Sequence, residues 1–350
     1  MIVGFYNRPF SRKSLQFVEI YKSILTHNQI NFIDLDIYDP QFWEKVNKLD
    51  LFVFRWPPND TANYIARNIL PVIENELGVK CLPNQSTCWH YDDKIKQYSL
   101  LMAHKLPVIQ SYIFFDEFAA LSWTRKASYP VVFKLKNGAG SQNVILVKTA
   151  RQANKLVRKM FGYGIKSGHV PSKDALQNAS VRAIVKAGAS RLGFIRKLYG
   201  LGDKSNAEIQ KGYVLFQKFH PNNNFDTRVT VIGNRAFGFR RFTRKNDFRA
   251  SGSGHFDQEP KNIDLKCVER SLSISKILEF QTMSYDFLYN KNNEPELCEM
   301  SYTYADWAVQ SCPGYWDSEL NWKTGRYWPQ YFQLMDALEL PDLKQPDLEP

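Results

Sequence analysis

Charged residues set inside apolar, strand-like runs constrain this 350-residue chain more than any other feature. Asp226-Thr227-Arg228-Val229-Thr230-Val231-Ile232 places Arg228 at the start of an apolar strand. Asp286 sits within Tyr285-Asp286-Phe287-Leu288, and Glu299 within Leu297-Cys298-Glu299-Met300-Ser301. A carboxylate in such a run is costly to bury unless it meets a cation. The two carboxylate segments flank the Asn290–Pro295 turn and read as a strand pair. Two carboxylates on paired strands suit one hard-cation site. Magnesium fits, because it takes oxygen ligands, one or two of them carboxylates, with phosphate and water supplying the rest. The alternative is a set of structural ion pairs with buried arginines, and spacing alone leaves both open.

The rest of the chain alternates between strand and helix patterns. Ile2–Tyr6, Asn31–Leu35 and Leu51–Phe54 read as strands, with helical spacing over Ser11–His27 and after Asn59 or Asp60. This predicts a small open α/β sheet with parallel strands over residues 1–90. Arg8 and Arg55 follow its strands and are candidates for a substrate anion. A helix carrying Lys94 is expected over 91–106. The strand Tyr129–Lys134 ends on a lysine and leads into Asn137-Gly138-Ala139-Gly140-Ser141, followed by a strand at Val144–Val147. Glycines let backbone N–H groups approach phosphate oxygens. The loop is not a Walker A motif, since no Gly-Lys-Ser/Thr precedes a helix. Further strands are expected at Tyr213–Phe216, Val229–Ile232 and Ala236–Phe239, the last two joined by a Gly233-Asn234 turn, and a helix at about Lys266–Leu278.

Taken in order, Lys94, Lys134, the glycine-serine loop, Gln217-Lys218-Phe219, Asp226-Thr227-Arg228, Asp247-Phe248-Arg249, Asp286 and Glu299 resemble the ATP-grasp superfamily, of the glutathione synthetase and ribosomal-protein glutamate ligase type. The resemblance covers roughly residues 90–330 and lies in the order of the motifs rather than in any single one. It implies an α/β (α+β) ATP-grasp fold: a pre-ATP-grasp domain over 1–90, a lid region over 91–212, a core over 213–335 and a tail over 336–350.

It also implies roles. Lys94 and Lys134 bind phosphates, and Gly138, Ala139, Gly140 and Ser141 close over them. Gln217, Lys218 and Phe219 hold the adenine at a hinge, with Asp226 on the ribose side. Arg228 and Arg249 contact the transferred phosphoryl group and the acyl phosphate, and Arg241, Ser251, Gly252 and Ser253 are substrate-binding candidates. Asp286, Glu299 and Ser301 hold magnesium, two ions in all. Ser301 departs from the superfamily, which has asparagine there, and a serine hydroxyl is the shorter ligand. The implied activity is an ATP-dependent carboxylate–amine ligase that passes through an acyl phosphate and releases ADP and phosphate. A sugar or small-molecule kinase and a non-catalytic ATP-binding protein are the alternatives.

Charge narrows the partners. The formal net charge is +11, but residues 151–212 hold 13 Lys and Arg against three acids, a net of +10. The remainder is close to neutral. This argues against a nucleic-acid binder, as does the lack of an aromatic–basic RNA motif. The basic insert reads as a solvated lid surface, as a docking surface for a nucleotide sugar or lipid-linked glycan, or as a peripheral membrane contact. An aromatic tail at Tyr315-Trp316, Trp322 and Tyr327-Trp328 is consistent with core capping or with stacking on a sugar, and suggests surface-glycan biosynthesis. Five scattered cysteines without a CxxC pair, and no signal-like N-terminus, predict a cytoplasmic protein with reduced thiols. Neither zinc-ligand spacing nor a membrane-length apolar run is present. A homodimer is the default expectation.

Overall fold

A computed structural model describes residues 1–6, 12–58, 60–138, 144–166, 208–244, 247–250 and 254–348. They form two compact units, one from Met1–Val108 with His220–Pro350 and one from Ile109–Phe219. No helix of the described residues is long and apolar enough to cross a membrane.

The first unit begins with a parallel sheet, as the sequence predicts. Strands β1 (Ile2–Tyr6), β2 (Asn31–Leu35), β3 (Leu51–Val53) and β4 (Lys80–Leu82) pair in the order β2-β1-β3-β4. Helices α1 (Arg12–His27), α2 (Phe42–Val46) and α3 (Asp60–Pro71) connect the strands. Side chains alternate along a strand, so a sheet covered on both faces needs apolar residues at every position. Val3 and Phe5 pack with Ile20, Ile24 and Leu25 of α1. Tyr6 and Phe52 point into the other cluster with Phe42 and Ala66. A Cβ at Gly4 of β1 would press on the methyl ends of Leu49 and Leu35, which would have to shift.

Two short helices follow, α4 (Gln85–Cys88) and α5 (Lys94–Ala103). The Asp93 carboxylate caps α5 by accepting from the N–H groups of Ile95 and Lys96, so Lys94 is its first residue. Between the helices lies His90, 1% exposed against Trp89 and Phe280. Neither of its ring nitrogens has a hydrogen-bond partner among the described residues. Burial disfavours the charged ring and pushes its pKa down to about 3. The sign follows from linkage. A folded-state pKa below the ordinary 6.5 means that folding is fully supported above pH 6.5 and loses support as pH falls towards 3. We expect His90→Phe to flatten this part of the acid-unfolding profile, a difference on the order of a few kcal/mol at pH 4. Urea titrations at pH 7 and pH 4 measure it, and an unchanged pH slope would contradict it.

The second unit holds an antiparallel sheet of order β5-β10-β6-β7, from β5 (Ser111–Phe114), β6 (Val131–Lys134), β7 (Val144–Val147) and β10 (Val214–Lys218). Helices α6 (Glu117–Lys126) and α7 (Ala150–Phe161) belong to it, with the short pair β8 (Ile165–Lys166) and β9 (Ile209–Gln210). Trp123 of α6 stacks on Phe216 of β10 at 5.1 Å. Ala153, Val157 and Met160 give α7 a buried stripe at i, i+4, i+7.

The remainder of the first unit is a second, larger sheet of order β15-β14-β11-β12-β16-β17, with β13 beside β12. Its strands are β11 (Phe225–Ile232), β12 (Arg235–Phe242), β13 (Phe256–Asp257), β14 (Thr282–Tyr289), β15 (Pro295–Ser301), β16 (Gly314–Trp316) and β17 (Trp322–Thr324). The expected hairpin joins β11 to β12, with Gly233 at φ +56 in the turn. The expected helix is α8 (Leu265–Ile277), capped by Asp264. Two more helices complete the unit, α9 (Asp306–Gln310) and α10 (Pro329–Ala337). Of the tail aromatics, Trp316 and Trp328 are buried, each in a different core cluster of this unit.

Candidate active site

Period-two alternation sorts the second sheet into an apolar face and a charged one. Val229, Val231, Met283, Tyr285 and Phe287 lie in the core cluster. The intervening residues face the other way. Register sets Arg228 opposite Phe239 on β12 and opposite Asp286 on β14. Asp226 stands opposite Arg241, and Asp286 opposite Glu299 at a β-bulge. Ser301, two residues beyond Glu299, pairs with Ser284.

The charges on this face are tied to one another. Arg228 donates from Nε and Nη2 to the two oxygens of Asp286, at 2.6 and 2.7 Å. Arg241 donates to both oxygens of Asp226, at 2.7 and 2.6 Å, and from Nη2 to Asp286 Oδ2 at 2.7 Å. Burial alone would raise the pKa of Asp286, but the two guanidiniums override it and hold the carboxyl well below the usual range. Asp226 is shifted the other way, since burial and the nearby charge of Asp286 outweigh Arg241. The anionic pair raises the pKa of Arg241 against its burial.

At the edge of the network Lys94 Nζ lies 3.2 Å from Glu299 Oε1. Burial would lower the pKa of this lysine, yet Glu299 and Asp92 raise it, so the ammonium stays charged. Ser301 Oγ donates to Thr303 O at 2.9 Å and accepts from the Thr303 N–H at 3.2 Å. Arg249 forms a bidentate pair with Asp247, 2.7 Å at its shortest. Arg55 donates to Tyr304 O at 2.9 Å and stacks on Phe17 at 3.9 Å.

In the second unit Lys134 is buried at the end of β6, opposite Leu215 and Val144. Gly138 follows with φ +104, a conformation that favours glycine. Gln217 and Lys218 end β10, with Gln217 donating to Ser111 Oγ at 3.4 Å and the Lys218 N–H to Gln110 O at 2.9 Å, and Phe219 closes the unit. Ala139, Gly140, Ser141, Ser251, Gly252, Ser253 and Arg8 lie outside the described residues, as do positions 167–207 of the basic insert.

Next to the ion network in the first unit is a cavity of about 210 Å³. Arg228, Arg241 and Thr230 line it, together with the rings of Phe239, Phe256, Tyr304 and Trp307. The rings were not among the sequence candidates. Phe239 was findable, because it lies two residues before Arg241 on one strand and therefore on the same face. Tyr304 and Trp307 come from the segment after β15, where strand periodicity no longer applies.

The donor set can be tested against a divalent cation. Among the described residues no group of three or more His, Cys, Asp and Glu is placed to hold a metal. Asp286 and Glu299 nevertheless face each other across one strand pair. A carboxylate offers about four lone-pair positions, and Asp286 uses three of them on arginine N–H groups. Glu299, half-exposed, has Lys94 near one oxygen. Two carboxylates with oxygen positions to offer fit magnesium, which draws its remaining ligands from phosphate and water.

No protein-family model matches the chain. Over 93 residues it is 28% identical to alpha-aminoadipate--LysW ligase LysX of Saccharolobus solfataricus, an alignment covering 25% of this chain and 34% of that protein. The chain thus matches about a third of that relative's length. Among solved structures it resembles N5-carboxyaminoimidazole ribonucleotide synthetase from Thermotoga maritima, with a TM-score of 0.57 and 14% identity over 97% of this chain and 76% of that one. D-cycloserine synthetase DcsG gives a TM-score of 0.55 and 14% identity over 97% of this chain and 100% of that one. Biotin carboxylase from Campylobacter jejuni gives 0.55 and 12% over 96% and 70%.

Proposed function

This chain has the ATP-grasp fold, and we propose that it is an ATP-dependent carboxylate–amine ligase. One observation carries the proposal: Arg228, Arg241 and Asp286 form an ion network in the first unit, and strand register sets the Lys94–Glu299 pair beside it. A carboxylate oxygen bonds to the γ-phosphorus of ATP while the bridge to the β-phosphate breaks and ADP leaves. An amine then bonds to the acyl carbon, the carbon–oxygen bond to phosphate breaks, and the amine proton passes to solvent. Negative charge concentrates during the first step, and preorganised cations stabilise it. Arg228 and Arg241 orient the anion, and Lys94 offsets phosphate charge. Magnesium would be held by Asp286 and Glu299, with Ser301 as a further candidate, and when bound supplies Lewis-acid neutralisation of phosphate oxygens.

In the second unit, Lys134 and Gly138–Ser141 take the phosphate role in this proposal and Gln217, Lys218 and Phe219 the adenine role. Asp226 holds Arg241 in place, and Arg249 serves the acyl phosphate. The net +10 of residues 151–212 supports an amine carried by a nucleotide sugar, lipid-linked glycan or peptide. The test is purified full-length protein with magnesium, ATP and an acid panel, using hydroxylamine as the general amine. We expect ADP, free phosphate and a hydroxamate in equal amounts. Phosphate retained on the acceptor would identify a kinase instead, and no ADP with any acid would refute a ligase.

A further inference from the structure

The cavity beside the ion network offers donors and ring faces but little that would accept a proton donor. Arg241 is only 5% exposed, and its Nη1 donates to none of the described residues. Arg228 likewise uses Nε and Nη2 on Asp286 and leaves Nη1 without a partner among them. Both side chains line the cavity, and no carboxylate is among the described residues that do.

The remaining polar lining is already engaged. Thr230 Oγ1 bonds with Ser284 Oγ, and Tyr304 Oη with Thr282 Oγ1 and Gln333 Nε2. The carbonyls of Tyr304, Ala305 and Ala308 accept from Arg55, the Ala308 N–H and Gln258. The other walls are rings. Phe256, 40% exposed, meets Trp307, 49% exposed, edge to face at 5.6 Å. Large half-exposed rings at a cavity rim present π-faces to whatever enters. The volume of about 210 Å³ lies below the ~300 Å³ at which pockets for drug-sized ligands begin. That leaves space for one ring and a short chain.

We propose that this cavity binds the acid to be ligated, and that the acid is a small ring-bearing carboxylate without an amino group. Its carboxylate meets Nη1 of Arg228 and Arg241, and its ring lies against Phe256 and Trp307. An α-amino acid of equal size is disfavoured, because its ammonium would sit beside two guanidiniums with no carboxylate among the described lining to offset them. The proposal rests on the ligase function above and adds the substrate class.

The probes are 3-phenylpropionate and L-phenylalanine, which share a skeleton and differ by the ammonium. Calorimetry on the full-length protein, with and without magnesium and a non-hydrolysable ATP analogue, reads their affinities. We expect 3-phenylpropionate to bind at least about tenfold more tightly. Trp307→Ala and Phe256→Ala should each weaken it by roughly five- to tenfold and leave the affinity for the ATP analogue unchanged. Both rings are partly at the surface, and circular dichroism checks that the variants fold. Equal or tighter binding of L-phenylalanine, no binding of 3-phenylpropionate, or unaltered affinity in both ring variants would overturn the assignment. Ring-acid binding that never leads to ADP release would remove the ligase function and leave the binding site standing. ADP release driven by α-amino acids alone would do the reverse.

Discussion

Glutamine at position 299 should lower acid-dependent ADP release by about a thousandfold or more while the protein stays folded. The substitution keeps the shape of the side chain and removes its charge. Glu299 is half-exposed within the β14–β15 pair, and Asp286 keeps both of its arginines when Glu299 becomes neutral. What is lost is the second of two facing carboxylates. A neutral amide is a poor partner for a hard divalent cation, and it leaves Asp286, already held by two arginines, to act alone. Lys94 loses the Glu299 charge at the same time and keeps that of Asp92. Turnover and thermal unfolding should therefore separate. The midpoint stays within a few degrees of the parent, and calorimetry shows weaker magnesium-dependent binding of the ATP analogue. Parental turnover in Glu299→Gln would exclude the carboxylate pair as the metal site.

The charged face of the second sheet was legible because strands have a period of two. Asp226, Arg228 and Thr230 alternate with Thr227, Val229 and Val231, and the β11–β12 turn at Gly233-Asn234 fixed their register with Arg241 and Phe239. Spacing could not decide between a cation site and structural ion pairs for Asp286 and Glu299. The structure pairs Asp286 with two arginines and Glu299 with a lysine from α5, just over two hundred positions earlier, a contact no local pattern announces. The cavity wall was hidden for a similar reason. Trp307 reaches it from the short helix α9 and Tyr304 from just before that helix, and their role depends on tertiary placement. Helices α1 and α3, two of the three that connect the first sheet, and its parallel strand direction were readable from apolar runs, since a sheet covered on both faces has little room for polar residues.

Loss of Arg241 should destabilise the first unit by about 3–5 kcal/mol, the range found when one partner of a buried ion pair is removed. Arg241 serves two carboxylates, and it is the only described cation bonded to Asp226. In Arg241→Met the methylene volume remains but Asp226 is left buried without its counter-charge. Asp286 keeps Arg228. The pH dependence then has a definite sign. The Asp226 carboxyl is already raised by burial and by Asp286, and removal of Arg241 takes away its largest lowering influence. A carboxyl with a folded-state pKa above its unfolded one supports folding fully below the unfolded value. That support is lost as pH rises through the folded value. The variant should therefore lose less stability relative to the parent at pH 5 than at pH 8, measured by urea unfolding of both proteins. Adding Asp226→Asn should recover part of the loss at pH 8 and little at pH 5, because the amide stands in for the protonated acid. If Arg241→Met unfolds at the parental urea midpoint at both pH values, the buried ion network contributes nothing to folding.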